Sequence, residues 1–120
     1  MRVETVSVSV FEGPAIIAGY EYRLQIEADS DLFPAGAAFA GQLRTKVSGT
    51  TIVATLTTAN GGLVRRSDTL LELVVPPEAT GHLLPGSAVV DLVRTDLSPP
   101  RHLAFLLEIP VVQPVTRGLA

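Results

Sequence analysis

Apolar and polar residues alternate along several short segments of the chain. The clearest is residues 20–28, where apolar residues at even positions alternate with charged or polar residues at odd positions. Val6 and Val8 alternate in the same way with Ser7 and Ser9. Because successive side chains of a strand point to opposite faces, a period of two predicts half-buried β-strands.

Glycine, proline and asparagine divide the rest of the chain into further strand-like segments. The β-branched residues Val, Ile and Thr make up 31 of the 120 residues, and they favour strands over helices. The predicted strands cover residues 3–10, 20–28, 38–46, 51–58, 69–75, 87–94 and 101–112. Pro77 begins a single predicted helical turn. Seven strands at this spacing predict an all-β fold, an immunoglobulin-like antiparallel β-sandwich, with a small barrel as the alternative.

Composition places the chain among single-domain globular proteins, with residues 1–120 as one sandwich and extended ends at residues 1–10 and 111–120. A hydrophobic fraction of 47% and a charged fraction of 18% exclude an intrinsically disordered chain. The net charge of −3 gives no basic surface, so nucleic acid is not an expected partner. The sequence shows neither a secretory leader nor an apolar run long enough for a membrane helix, so we expect no membrane partner.

No catalytic, cofactor-binding or metal-binding residues are predicted, and the chain is not expected to be an enzyme. Cysteine is absent, and no nucleophile elbow follows a predicted strand. His82 and His102 have no His or Cys neighbour at metal-site spacing. Asp29 and Asp31 are interpreted as turn residues, since the central Gly and closing Glu of a calcium loop are missing.

The late segments are apolar on both faces, which is unusual for a sandwich with one face in solvent. If one face fills the core, a second set of apolar side chains points outward, and a contiguous set of this kind marks an interface. The outward residues predicted to form a partner interface are Leu70, Val74, Val89, Val93 and Leu106. The alternative is that loops or the first strand of the same chain cover these residues.

Two groups of charged residues add to this picture. Arg65 and Arg66 form the only basic doublet and are interpreted as an exposed hairpin edge or as ion-pair donors to a neighbouring chain, so both join the predicted interface. Asp91 and Glu108 lie on the outward faces of consecutive strands. They either meet at a cation or a partner arginine, or lie apart because of the register.

Several segments occur in an order that resembles a family of small proteins and domains from tail and structural gene clusters of bacteriophages and prophages. This family includes the N-terminal domain of baseplate upper proteins. The similarity covers about residues 18–117, and its matching segments are AGYEYRL (18–24), DL (31–32) with Gly36, AGQLR (40–44), PEATGHLLPG (77–86), VDL (90–92) and PVTR (114–117). The resemblance implies an immunoglobulin-like virion component that acts through assembly contacts and has no catalytic residues.

The expected function is therefore that of a non-enzymatic structural subunit of a phage or prophage virion, in its tail, baseplate, neck or capsid periphery, assembled in the host cytoplasm. Its expected partners are copies of itself or other virion proteins, and its extended ends are candidates for strand addition to a neighbour. The alternative is a carbohydrate- or cell-surface-binding module. The lack of Trp and the predicted inward positions of Tyr20 and Tyr22 argue against that alternative. A small hydrolase ranks last.

Overall fold

The computed structural model describes residues 9–46 and 49–116. Within these ranges, nine strands and one helical turn follow one another along the chain. They are β1 (Ser9–Glu12), β2 (Ile16–Ile17), β3 (Tyr22–Glu27), β4 (Phe39–Arg44), β5 (Ile52–Thr57), β6 (Leu63–Arg65), β7 (Leu70–Val75), α1 (Pro77–Thr80), β8 (Gly86–Arg94) and β9 (Arg101–Val112).

Two sheets of unequal width face each other. The wider sheet has the order β1-β9-β8-β4-β5, with β2 also pairing with β9, and the narrower sheet has the order β3-β7-β6. β1 and β2 run parallel to β9, whereas the other pairs are antiparallel. The predicted all-β sandwich is confirmed, with two short strands more than the seven expected. The pairing is not wholly antiparallel as predicted, because β1 and β2 run parallel to β9.

The core lies between the sheets and is built from alternating positions of the long strands. In β9, the buried residues are Phe105, Leu107, Ile109 and Val111, as the period of two predicts. Phe39 and Leu43 of β4 are buried in the same way. The helical turn begins at Pro77, as predicted, and ends at Thr80, which is also buried.

Four features differ from the sequence prediction. Tyr20 is exposed and precedes β3, because the chain turns at Gly19, whose φ is +87°. Alternation along the predicted strand 51–58 puts Ile52 on the inward face with Leu56, but Ile52 is 43% exposed. It begins the edge strand β5, and the narrower sheet has only three described strands to cover it. β2 and β6 were not predicted, because strands of two and three residues are too short to show a period.

The predicted strand at residues 3–10 falls mainly on residues outside the described ranges. β1 begins at Ser9, and it extends two residues past the predicted end, to Glu12. At the other end of the chain, Val111 and Val112 pair with Ile16 and Ile17 of the same chain. Residues 9–10 and 111–112 of the two predicted strand donors are therefore paired within their own fold.

Candidate partner-binding surfaces

The structure does not bring the predicted interface residues together. Leu70 and Val74 lie on β7 of the narrower sheet. Val89, Val93 and Leu106 lie on β8 and β9 of the wider sheet. Since all five alternate with inward-facing residues, they occupy the outer faces of opposite sheets and cannot form one contiguous patch.

Charged and polar side chains partly cover these outward positions. Val89 is only 8% exposed and the other four residues are half-buried. Arg44 lies beside Val89 in the register, and its guanidinium donates hydrogen bonds to Gln42 Oε1 at 2.6 Å and to the Gly49 carbonyl at 2.9 Å. A long arginine stem can cover apolar surface in this way while its charged end stays hydrated. Contact of these residues with a partner stays a prediction.

The arginine doublet forms its ion pairs within the chain. Arg66 Nη2 lies 2.7 Å from Glu72 Oε1, and Arg23 Nη1 lies 3.1 Å from the same oxygen. The hydrogen bond from Arg66 is the main cause that lowers the pKa of Glu72. Arg65 ends the edge strand β6, donates to the Phe33 carbonyl at 2.7 Å and pairs with Asp68. Within the described ranges, both arginines therefore have intramolecular partners.

The register places Asp91 opposite Leu106 and Glu108 opposite Val89, so the two carboxylates are not direct cross-strand partners. Instead, Asp91 Oδ2 lies 2.8 Å from His102 Nε2. His102 Nδ1 accepts a hydrogen bond from the Ala104 N–H at 2.8 Å, so in the neutral ring Nε2 carries the proton and donates to Asp91. Residues 9–46 and 49–116 contain no group of three or more side chains suited to hold a metal ion.

A different apolar surface lies at one end of the sandwich. Four large apolar side chains are exposed there, and we call them the apolar end surface: Ile17, Tyr20, Val112 and Val115. Ile17 and Val112 are direct partners in the parallel pairing of β2 with β9. Alternation along the predicted strand 101–112 puts Val112 on its outward face, together with Leu106. Ile17 and Val115 lie outside the predicted strands, so alternation does not indicate where they point.

Hydrogen bonds fix the backbone that carries this surface. The Ala18 N–H donates to the Val112 carbonyl at 3.0 Å. The Tyr20 hydroxyl donates to the Thr116 carbonyl at 2.7 Å and so ties the turn after β2 to the segment after β9. The buried Thr80 Oγ1 accepts from the Gly19 N–H at 3.1 Å and donates to the Tyr20 carbonyl at 2.7 Å.

Replacing Thr80 with valine is expected to lower the free energy of unfolding by about 1–3 kcal/mol, because the Gly19 N–H and the Tyr20 carbonyl lose their buried partner. The two side chains have nearly the same shape, so the change isolates the hydroxyl. Urea unfolding followed by circular dichroism measures the effect. Thr80→Ser, which keeps the hydroxyl, is the control; a valine variant as stable as the serine variant would contradict the prediction.

No helix in the described part of the chain is long and apolar enough to cross a membrane.

The sequence matches no model of a known protein family, and it has no significant match among curated proteins.

Proposed function

We propose that the chain is a non-enzymatic structural subunit of a phage or prophage virion, located in the tail, baseplate, neck or capsid periphery. It works by docking to copies of itself or to a neighbouring virion protein. The observation that carries the docking role is the apolar end surface. The resemblance of residues 18–117 to phage tail and structural proteins supports the virion as its place.

The apolar end surface has the chemistry of an interface core. Ile17, Tyr20 and Val112 are each more than one-third exposed, and Val115 is 97% exposed. Monomeric proteins rarely leave large contiguous apolar patches in water, and covering such area gains about 25 cal/mol per Å². Tyrosine is enriched at interface cores because it combines a large ring with a hydroxyl group.

A carbohydrate- or cell-surface-binding module is the second candidate. The exposure of Tyr20 favours it, since an aromatic ring offers a flat apolar face. The chain has no Trp, and its other tyrosine, Tyr22, is buried, which raises the pKa of its hydroxyl to about 12. A single exposed tyrosine whose hydroxyl is already bonded gives weaker support than the four residues of the apolar end surface.

Size-exclusion chromatography with light scattering and binding assays with co-encoded virion proteins test the proposal. Val112→Lys places a charge in the apolar end surface and is expected to weaken association by at least about tenfold, because burying an unpaired charge is costly. Ile52→Lys is a matched control, since Ile52 is 43% exposed against 42% for Val112 and lies on β5, with β8 and β4 in between.

The control variant is expected to associate like the wild type. A clean monomer at high micromolar concentration that binds no co-encoded virion protein would contradict the proposal. Equal losses in the two variants would also contradict it, because association would then depend on general surface charge. Clear hits on a glycan array would favour the carbohydrate-binding alternative.

A further inference from the structure

Among the described residues, the unequal widths of the two sheets leave one seam of the sandwich open. β3 is the edge strand of the narrower sheet at this seam, and β9 of the wider sheet lies across from it. A cavity of about 490 Å³ opens between them. Its apolar lining includes Gly13, Leu24, Ile26, Ala28, Phe105 and Leu107. We call this cavity, together with the edge of β3 that no described strand pairs with, the strand-acceptor groove.

The backbone of β3 offers hydrogen-bonding groups to this groove. The Ala28 N–H donates to the Thr69 carbonyl at 2.8 Å, which fixes the phase of the antiparallel pairing with β7. Since bonded and non-bonded positions alternate in such a ladder, the N–H and C=O groups of Leu24 and Ile26 point to β7. Those of Arg23, Gln25 and Glu27 point the other way, and no strand within the described ranges pairs with that side.

The inner face of β3 is incompletely covered. Leu24, Ile26 and Ala28 point between the sheets but are only half-buried. Near the start of β3, the Tyr22 hydroxyl donates to the Pro14 carbonyl at 2.6 Å and joins the two sides of the groove. A strand paired with β3 would place every second side chain in the cavity, where it would cover this apolar face.

The charges at the groove select for a basic partner. On the outer face of β3, Arg23 pairs with Glu21 and Glu72. Glu27 lies opposite the apolar Leu70 and forms no ion pair among the described residues. Asp29 follows two residues later and also lines the groove. A cation across from Glu27 on an added strand would form a favourable cross-strand pair.

The opposite edge of the sandwich shows how an edge strand is blocked. On β5, Asn60 Nδ2 donates to the Thr55 carbonyl and Asn60 Oδ1 accepts from the Thr57 N–H, both at 2.9 Å. One side chain therefore occupies two groups that an added strand needs. β6 is only three residues long, whereas β3 is six residues long and lacks a side-chain cap of this kind in the described structure.

We propose that the strand-acceptor groove binds an extended segment of a different protein, which adds to β3 as a fourth strand of the narrower sheet. The segment has apolar residues at every second position and Lys or Arg on its outer face beside Glu27. Main-chain hydrogen bonds supply affinity and the alternating pockets supply specificity. This site goes beyond the docking role proposed above, because it lies apart from the apolar end surface.

Fluorescence anisotropy with labelled synthetic peptides tests the site. The peptides are about eight residues long, a usual strand length, with Val on one face and Thr on the other. Each peptide carries one Lys in place of a Thr, and the peptides differ in which outward position the Lys occupies. We expect saturable binding, and at least about tenfold weaker binding when Lys is replaced by Glu. Glu27→Lys is expected to reverse this preference.

Gln25 provides a matched pair of protein variants. Gln25→Pro removes an N–H that points to the groove and leaves the hydrogen bonds to β7 in place, as proline permits on an edge strand. Gln25→Ala keeps that N–H. We expect at least about tenfold weaker peptide binding for the proline variant and a change within about twofold for the alanine variant. Thermal melting followed by circular dichroism verifies that both variants fold.

Several results would overturn this inference. One is that no peptide binds saturably. Another is that Gln25→Pro and Gln25→Ala weaken peptide binding equally. Binding that appears only after residues 1–8 are deleted assigns the groove to the chain's own N-terminal segment. A dimer that Gln25→Pro dissociates assigns it to a second copy. Because Val112 does not line the groove, the comparison of Val112→Lys with Ile52→Lys tests the apolar end surface separately from each of these results.

Discussion

Replacing Phe33 with alanine is expected to lower the free energy of unfolding by about 3–5 kcal/mol, the range for removing a buried phenylalanine ring. Phe33 is fully buried, although it lies in the loop between β3 and β4. Its ring meets the Phe39 ring edge to face, with centroids 5.5 Å apart. The variant loses this contact and leaves a cavity at the end of the core.

The backbone around Phe33 limits collapse into that cavity. The Phe33 N–H donates to the Asp68 carbonyl at 2.8 Å, and the Phe33 carbonyl accepts from Arg65 Nε at 2.7 Å. The loop is thus held from two sides, and we expect the loss to approach the upper part of the range.

Urea unfolding followed by circular dichroism measures this change. Leu84→Ala is the control, because Leu84 is 80% exposed and such surface changes usually alter stability by no more than about 0.5 kcal/mol. Phe33→Leu, which fills part of the space, is expected to be intermediate. A loss below about 1 kcal/mol for the alanine variant would show that the core does not depend on this ring.

Phe33 also illustrates a limit of sequence-based prediction. The alternation along β3 and β9 predicted their buried faces correctly, because a strand's period of two follows from backbone geometry alone. Phe33 lies just before Pro34, in a segment that the sequence marks as a break between strands. A local pattern indicates where a loop lies but does not indicate which loops fold back onto the core.

The assignment of strands to sheets limited prediction of the candidate surfaces. Alternation indicates that Val74 and Val93 point outward, but it does not indicate that their strands belong to opposite sheets. Nor does it show that Arg44 lies beside Val89, because Arg44 comes from a distant strand. The edge of β3 that no described strand pairs with was likewise hidden, since it results from the difference in width between the described sheets.

Replacing Gly41 with valine is expected to lower the free energy of unfolding by about 3 kcal/mol or more, the upper end of the cost of overpacking a core. Gly41 lies in β4 against β8. A Cβ atom at this position would lie 2.6 Å from the Asp91 carbonyl oxygen and 2.9 Å from Leu92 Cδ2. Real Cβ contacts are essentially never this short, so the two strands would have to move apart.

The backbone clash distinguishes this effect from ordinary side-chain crowding. Leu92→Ala removes one contact but leaves the Asp91 carbonyl in place, so the double variant Gly41→Val/Leu92→Ala is expected to stay at least as unstable as Gly41→Val. Ala40→Val, one residue earlier and half-buried on the other face of β4, is the matched control and is expected to change stability by less than about 1 kcal/mol. Thermal and urea unfolding measure all three variants. If Gly41→Val unfolds cooperatively at the wild-type midpoint, then β4 and β8 do not approach as closely as this geometry requires.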